Sequence, residues 1–265
     1  MEVSGPSFKK VLTKKVMNQQ YFKTLCDEII RARRPDGEMG IGTLGEKRLH
    51  AMLKRYVCPN KDFHEVGVQD TRFVSDVRIG SDAYEIQTGS FYPMKKKIAY
   101  YLEHTDCTVT VVHPIPSVRW MSWVEPETME IQPRRKVAGK KAIDLLPELY
   151  HLSEHLKNPR LRFRLLMLEV QDFRLLNGWS SDRKKGSIRY ERIPLSLIDE
   201  IDLNTPEDFR CFLPSALSEH FTVKEFSALT KLRGRDAYSA VRALAALGLI
   251  ESAEPIGRSM GWRVV

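Results

Sequence analysis

Apolar residues recur every three or four positions in the first part of the chain, which is the period of an amphipathic helix. This spacing predicts one helix over 16–34 and a second over 46–57. Glu46 stands at the start of the second helix, at the edge of the apolar stripe that includes Leu49 and Leu53. A carboxylate there could reach the end of a sheet, or it could simply favour the first turn of the helix.

The spacing then changes to the two-residue period of strands. Three short strand-like runs follow, at 63–68, 72–79 and 83–88. Pro93 fits the first turn of a helix that runs to about His104, and an apolar, β-branched run at 107–115 predicts a buried strand. The elements follow in the order helix, three strands, helix and strand, which predicts an α/β fold.

The middle of the chain predicts a helix and a β-rich extension. Residues 142–157 have helical spacing, with an interruption at Pro147. Two long strands joined by a basic turn follow, over 161–176 and 187–197. We expect this extension to belong to a first domain over 1–203, whose core lies at 40–115.

The last part of the chain predicts a second domain over 204–265. Two helices separated by Arg233–Gly234 precede a short hairpin, which is the pattern of a helix-turn-helix with a wing. Apolar residues that include Phe226 and Leu229 should form its core. This segment resembles a winged-helix domain, a class in which many members bind DNA and others bind protein.

The net charge of +8 on the 265-residue chain is concentrated in one central block. Residues 134–185 contain 13 Lys and Arg against 6 Asp and Glu, a net charge of +7. A localised basic block is expected of a protein that binds phosphate backbones, although an ordinary soluble surface can have the same composition. The candidate contacts in this block are Arg134, Arg135, Arg183, Lys184 and Lys185.

The remaining composition indicates in which part of the cell the protein is found. No apolar run approaches the length of a membrane span, and the first residues contain no apolar region of a secretory signal. The four cysteines are far apart and form no CxxC pair, which fits reduced thiols. We expect a cytoplasmic protein with no membrane partner.

Carboxylates within the strand-like runs point to chemistry, because a buried charge needs a partner. Glu85 and Gln87 are two residues apart and share one side of a strand, and Asp76 lies on the partner strand of a hairpin. The two carboxylates can meet at one end of the sheet and hold Mg²⁺ or Mn²⁺, which would support phosphodiester cleavage. The alternative is a solvated hairpin.

These residues resemble a known nuclease motif. Glu46, Asp76 and Glu85-Ile86-Gln87, in this order of elements, resemble the PD-(D/E)XK superfamily, whose restriction-endonuclease-like fold underlies many nucleases. The resemblance covers residues 40–115, and it implies a restriction-endonuclease-like mixed sheet flanked by helices. It implies that Asp76 and Glu85 are metal ligands, that the Ile86 carbonyl contributes a further ligand, and that Glu46 is an auxiliary acid.

The chain departs from that motif at Gln87, where the superfamily usually has Lys. A neutral amide can orient the attacking water but brings no positive charge. Lys95 and Lys97 flank the apolar stripe of the next helix, so either lysine could approach the metal or a DNA phosphate.

Basic residues also mark the C-terminal segment. Arg233, Arg235 and Arg242 lie where a recognition helix would meet the major groove, and Arg258 lies at the tip of the wing. We therefore expect double-stranded DNA as the partner.

The combined expectation is a metal-dependent PD-(D/E)XK endonuclease that a winged-helix domain places on DNA. Cleavage of both strands would favour a homodimer. Two alternatives remain open. One is a catalytically inactive, nuclease-like DNA-binding or regulatory protein, which Gln87 leaves open without implying inactivity. The other is an assembly adaptor whose winged helix binds protein.

Two other short motifs compete with this site. Glu169-Val170-Gln171 repeats the Glu-x-Gln pattern, but no Asp stands on an adjacent preceding strand, so we interpret it as a pair of ordinary strand residues. Residues 151–155 match the HxxEH pattern of inverted zinc proteases, and a solvated helix face is the favoured interpretation.

Overall fold

A computed structural model describes four ranges of the chain, 8–31, 44–68, 71–178 and 186–265. Its helices are α1 (Phe8–Arg31), α2 (Leu44–Val57), α3 (Lys95–His104), α4 (Leu146–Leu149), α5 (Val223–Thr230) and α6 (Gly234–Leu247). Its strands are β1 (His64–Gly67), β2 (Val74–Ile79), β3 (Asp82–Ile86), β4 (Thr108–Val124), β5 (Arg135–Val137), β6 (Leu161–Gly178), β7 (Gly186–Leu203), β8 (His220–Thr222), β9 (Ile250–Ile256) and β10 (Ser259–Val264). Short 3-10 turns lie at Lys61–Phe63, Tyr92–Met94, Ala142–Leu145, Tyr150–Leu152 and Pro206–Phe212.

The strands form a mixed sheet of seven and an antiparallel sheet of three. The large sheet has the order β1-β2-β3-β4-β6-β7, with β5 paired to β4, and the small sheet has the order β8-β10-β9. β3 and β4 are parallel, so the chain must cross over between them, and α3 makes that crossover. The predicted α/β class, with a mixed sheet flanked by helices, is confirmed.

The chain divides into two compact units. The first consists of Met1–Lys61, Ile115–Lys140 and Leu166–Glu200. The second consists of Asp62–Pro114, Lys141–Leu165 and Ile201–Val265. The predicted domain limits, 1–203 and 204–265, stay a prediction. In the described part of the chain, no helix has both the length and the apolar character needed to cross a bilayer.

The β2–β3 hairpin carries Asp76 and Glu85 of the nuclease-like motif, and α3 follows it in the second unit. Val77 pairs with Tyr84 and Ile79 with Asp82, and Gly80 turns the chain at φ +61, a left-handed conformation that glycine adopts without strain. On α3, Ile98 is fully buried, as its helical spacing predicts. Lys96 is exposed on the opposite side of that helix.

The C-terminal helices of the second unit have defined ends. The Thr222 hydroxyl accepts a hydrogen bond from the Glu225 backbone N–H at 3.3 Å, and the Glu225 carboxylate accepts from the Thr222 N–H at 2.7 Å, a capping box that starts α5. α6 ends at Gly248, whose φ of +81 suits glycine. Phe226 is fully buried, but Leu229 is 43% exposed, so its predicted place in the core is wrong.

Several predicted elements differ in length from the structure. α1 begins at Phe8 and not at residue 16, and β7 continues to Leu203 and not only to residue 197. Helical structure begins at Ala142 but is limited to short 3-10 and α segments that end at Leu152, and Pro147 lies in the first turn of the short α4. β4 continues to Val124, beyond Pro114 and Pro116. Proline removes one donor from a strand and favours its end, which explains why the sequence pattern underestimates this strand.

Candidate functional site

Glu85 is a buried carboxylate on β3, beneath α3. Its side chain is held from two successive turns of that helix: Oε2 contacts the Lys97 ammonium, and Oε1 accepts a hydrogen bond from the Tyr101 hydroxyl at 3.0 Å. Lys97 and Tyr101 are four residues apart, so they lie on one face of the helix. Glu85 is 3% exposed, and these contacts offset part of the cost of burying its charge.

The electrostatic setting of Glu85 is unusual for a carboxyl group. Burial raises the pKa of Glu85 from its ordinary value of 4.5 to about 7, although the adjacent Lys97 ammonium lowers it. The Asp76 carboxylate raises the pKa further, because a second negative charge nearby disfavours ionisation. Asp76 and Glu85 are therefore close enough to couple electrostatically.

Asp76 lies on β2, where the pairing with β3 ends. The last paired residues are Val77 and Tyr84, and one further step of that register would place Asp76 opposite Glu85. At this point Oδ2 of Asp76 accepts a hydrogen bond from the Ile86 backbone N–H at 2.7 Å. Asp76 thus satisfies a backbone donor at the end of β3.

The Lys97 ammonium also ties α3 to β2. Beside its contact with Glu85, Nζ donates a hydrogen bond to the Val74 carbonyl at 2.6 Å. The Lys97 side chain is 17% exposed, so its charge lies between the buried carboxylate and the protein surface. One lysine therefore joins β2, β3 and α3.

The loop after β3 is ordered by polar contacts. The Gln87 amide donates to the Ser90 carbonyl, and the Gln87 carbonyl accepts from Nδ1 of His113 at 2.5 Å. Because a carbonyl oxygen can only accept, this contact assigns the Nδ1 proton to His113. The Phe91 backbone N–H donates to the Glu148 carboxylate at 2.9 Å.

The structure brings together three of the residues that the motif predicts: Asp76, Glu85 and Lys97. Gln87 directly follows β3, but its amide nitrogen is bonded within its own loop. Ile86 is buried, and its N–H is used by Asp76, so a ligand role for its carbonyl stays a prediction. Glu46 belongs to α2, but its side chain lies outside the described part of the structure, and its role also stays a prediction.

The oxygen atoms at this point suit a hard cation. Mg²⁺ usually takes one or two protein carboxylates and keeps several waters. Asp76 and Glu85 would supply the two carboxylates. Within the described ranges, no group of three or more His, Cys, Asp and Glu side chains is arranged to hold a metal ion. A cation on Glu85 would take the position that the Lys97 ammonium occupies.

Lys95, the other lysine that flanks the stripe, makes a different contact. Its ammonium pairs with Glu154 at 3.1 Å, and both side chains are exposed. Glu154 belongs to the HxxEH pattern at 151–155, where the chain forms turns after Leu152 and no α-helix. That pattern consequently lacks the helical spacing that a zinc site would require.

Two arginines of the predicted basic block have their guanidinium groups over tryptophan rings of the first unit. The Arg134 guanidinium lies 4.6 Å from the centre of the Trp120 ring, and the Arg135 guanidinium lies 5.6 Å from that of Trp123. Both arginines are exposed. Residues Arg183, Lys184 and Lys185 lie outside the described residues.

The basic residues predicted for the C-terminal segment are all on the surface. Arg235 and Arg242 are exposed on α6, and Arg233 is exposed immediately before that helix. Arg258 is exposed in the turn between β9 and β10. Contact of these residues with DNA stays a prediction.

One charged cluster was missed by the sequence interpretation. The buried Asp172 on β6 is bound by Arg119 of β4 at 2.7 Å and by Arg192 of β7 at 2.6 Å. Asp172 could have been identified from the sequence, because it is a charged residue within an apolar strand. Its partners could not, because they are brought to Asp172 only by the order of the strands in the sheet.

The neighbouring Glu169 has a structural explanation. Its carboxylate accepts hydrogen bonds from the Trp120 indole and the Ser196 hydroxyl, both at 2.8 Å. The Trp120 bond is the largest cause that lowers the pKa of Glu169. The interpretation of Glu169-Val170-Gln171 as ordinary strand residues agrees with these contacts.

Comparison with known proteins places the chain in a family without assigning it an activity. A family model described as "Domain of unknown function (DUF8091)" matches residues 47–204, more than half of the 265-residue chain. No curated protein and no solved structure matches the chain significantly. The match includes Asp76, Glu85 and Lys97 as well as the Asp172 cluster, and on its extent the chain belongs to the DUF8091 family.

Proposed function

We propose that the protein is a metal-dependent nuclease of the PD-(D/E)XK type that hydrolyses phosphodiester bonds, with DNA as the expected substrate. The observation that carries the proposal is the convergence of Asp76, Glu85 and Lys97 where β2, β3 and α3 meet. Two coupled carboxylates beside one ammonium group combine metal ligands with a positive charge for a phosphate. The same convergence is what the resemblance at residues 40–115 predicts.

The chemistry of the proposed site is divided among a few side chains. Asp76 and Glu85 would hold Mg²⁺ or Mn²⁺, which when bound activates water and stabilises charge on the leaving oxygen. Lys97, whose ammonium a bound cation would displace from Glu85, brings from α3 the positive charge that Gln87 lacks. The Tyr101 hydroxyl fixes the orientation of Glu85 through its 3.0 Å hydrogen bond.

The element order supports the restriction-endonuclease-like fold as part of this proposal. Asp76 lies on β2, Glu85 lies on the antiparallel β3, and a crossover helix leads to the parallel β4. The C-terminal segment supports a winged-helix domain, because α5, α6 and the β9–β10 hairpin follow in the expected order. The exposed arginines of α6 favour DNA as the partner of that domain.

A second candidate is a DNA-binding protein that retains a nuclease-like core without activity. Both carboxylate oxygens of Glu85 have partners within the chain, and the Gln87 amide is bonded to Ser90. An ion pair of this kind can hold β3 to α3 without any metal. This candidate predicts DNA binding that needs no divalent ion.

Cleavage assays on the full chain separate the two candidates. The substrates are supercoiled plasmid, linear double-stranded DNA, single-stranded DNA and RNA, each with Mg²⁺, Mn²⁺ or a chelator. We expect cleavage with a divalent ion, and we expect Asp76→Asn and Glu85→Gln to lose it while remaining folded. Glu154→Gln is the matched control, because it removes one carboxylate charge from an exposed pair and leaves Glu85 unchanged.

Two results would contradict the nuclease proposal. If the wild-type chain cuts none of these substrates but binds DNA, the non-catalytic candidate is correct. If cleavage survives the combined Asp76→Asn and Glu85→Gln exchange, the active site lies elsewhere.

A further inference from the structure

Three charged side chains form one row across neighbouring strands of the first unit. Asp172 on β6 lies between Arg119 on β4 and Arg192 on β7, in the strand order β4-β6-β7. Arg119 binds Asp172 through Nε at 3.1 Å and Nη2 at 2.7 Å, and Arg192 binds it through Nε at 2.6 Å and Nη2 at 3.0 Å. One buried carboxylate therefore fixes two guanidinium groups.

The row carries one positive charge more than this carboxylate can neutralise. Burial by itself would raise the pKa of Asp172, but the two guanidinium groups outweigh it and lower the pKa, so Asp172 stays ionised at neutral pH. The Asp172 side chain is 2% exposed, whereas those of Arg119 and Arg192 are 24% and 19% exposed. The surplus charge thus faces solvent while the carboxylate does not.

The two arginines keep hydrogen-bond donors that Asp172 does not use. A guanidinium has about five N–H groups in a rigid fork. Arg119 uses Nε and Nη2 for Asp172 and Nη1 for the Ala138 carbonyl, and Arg192 uses Nε and Nη2 for Asp172. Among the described residues, the other N–H groups of both forks have no acceptor.

More basic and aromatic side chains share the same sheet face. Trp123 lies four residues after Arg119 on β4, and Arg174 lies two residues after Asp172 on β6, so strand alternation places them on the side of the row. The Arg135 guanidinium lies over Trp123. We call this surface, which consists of Arg119, Trp123, Arg135, Asp172, Arg174 and Arg192, the arginine face.

The described helices of the first unit make their contacts on the opposite face. Trp120 and Glu169 are bonded to each other there, and Lys23 of α1 is close enough for Glu169 to raise its pKa. Arg48 of α2 pairs at 3.4 Å with Glu191, the neighbour of Arg192 that points away from the row. These contacts of α1 and α2 thus lie on the side of the sheet opposite to the arginine face.

We propose that the arginine face binds the phosphate backbone of nucleic acid. Planar guanidinium forks match phosphate oxygens in pairs, and forks that Asp172 already orients lose little freedom on binding. The Arg135 guanidinium, which lies over the Trp123 ring, adds a further cation to this face. This inference rests on the proposed function for the class of ligand, and it adds a substrate surface outside the carboxylate site.

The test measures binding of the full chain to labelled single-stranded and double-stranded oligonucleotides in a chelator, so that no cleavage occurs. We expect the combined Arg119→Gln and Arg192→Gln exchange to weaken binding by about tenfold or more, because charge-assisted hydrogen bonds are lost. The slope of log affinity against log salt should shrink by about 0.7 to 0.9 for each phosphate contact removed. Arg164→Gln is the matched control, since it also breaks an Arg–Asp pair between β6 and β7, with Asp202.

Single exchanges to lysine keep the inference testable if the double variant does not fold. Arg119→Lys and Arg192→Lys retain a charge for Asp172 but lose the fork, so we expect weaker binding with a nearly unchanged salt slope. Unchanged affinity in folded lysine variants, or an equal loss in Arg164→Gln, would overturn the inference. Equal competition by polyglutamate would also overturn it, because that would indicate a general anion surface.

The same samples with Mg²⁺ separate this inference from the proposed nuclease. Wild-type protein that binds through Arg119 and Arg192 but cuts nothing would contradict the nuclease and support the arginine face. Wild-type protein that cuts, with a double variant that binds and cuts equally well, would support the nuclease and overturn the arginine face.

Discussion

The ammonium of Lys97 on α3 contacts the buried carboxylate of Glu85 on β3. This contact places a full positive charge beside a group whose pKa burial raises to about 7. Removal of either charge would leave the other without its partner in a site of low polarity, which is costly. The pair therefore links the stability of the β3–α3 region to the chemistry proposed for the site.

The first prediction is that the free energy of unfolding falls as the pH rises from about 4.5 to about 7. In that window the folded chain holds a proton on Glu85 that the unfolded chain has released, because the pKa is about 7 in the fold and 4.5 ordinarily. The stabilisation that comes from this proton on Glu85 is complete below about pH 4.5, and it is lost as the pH rises through about 7. Its size is on the order of 3 kcal/mol.

Urea unfolding across that pH range measures this effect as a difference between wild type and Glu85→Gln. The difference in unfolding free energy should decline with rising pH, since glutamine does not titrate. Glu154→Gln should track the wild type, because Glu154 is exposed. A pH-independent difference between wild type and Glu85→Gln would contradict the raised pKa.

The local pattern of the sequence predicts much of this region. Alternation and Gly80 predict the β2–β3 hairpin, and the helical period that buries Ile98 also brings Lys97 towards the sheet. The hydroxyl contact of Tyr101 does not follow from the pattern, because an apolar stripe shows only that the ring is buried. The bond from the Ile86 N–H to Asp76 depends on where the two strands separate, which no local spacing encodes.

Contacts between distant parts of the chain are less predictable. Asp172 meets Arg119 and Arg192 only because β6 lies between β4 and β7, and sequence spacing does not determine that order. β4 also passes Pro114 and Pro116, which ordinarily mark the end of a strand. The sequence therefore predicts the individual helices and strands better than the contacts between residues of different strands.

The second prediction concerns the hydroxyl of Tyr101. Tyr101→Phe removes the donor to Glu85 Oε1 and should lower the free energy of unfolding by about 1–3 kcal/mol, since a buried acceptor loses its partner. It should also raise the pKa of Glu85 further, because this hydrogen bond lowers it. Tyr92→Phe is the control: Tyr92 is 68% exposed, so we expect a change within about 0.5 kcal/mol. If urea unfolding shows the same loss of unfolding free energy for Tyr101→Phe as for Tyr92→Phe, the prediction is wrong.

The third prediction concerns the coupling between Asp76 and Glu85. Asp76→Asn removes the charge that raises the pKa of Glu85, while the amide oxygen can still accept from the Ile86 N–H. The pKa of Glu85 should therefore fall in this variant, as followed by carbon NMR of the carboxyl groups.

Addition of Mg²⁺ extends that experiment to the metal. A cation held by both carboxylates competes with the proton, so Mg²⁺ should lower the pKa of Glu85 in the wild type and much less in Asp76→Asn. The Glu154 signal, recorded in the same samples, serves as the internal control. No change in the Glu85 titration with Mg²⁺ would show that the two carboxylates do not hold this ion.

The fourth prediction concerns the exposed arginines of α6. Arg235 and Arg242 are seven residues apart, two turns of a helix, so they lie on one side of α6 and could meet a DNA backbone together. Arg235→Ala and Arg242→Ala should each weaken DNA binding and reduce the salt slope by about 1. Lys224→Ala, an exposed basic residue on α5, is the control and should change neither quantity. If all three variants bind DNA like the wild type while the arginine-face variants do not, the C-terminal helices have a different partner. Contact with the phosphates would then be made by the arginine face alone.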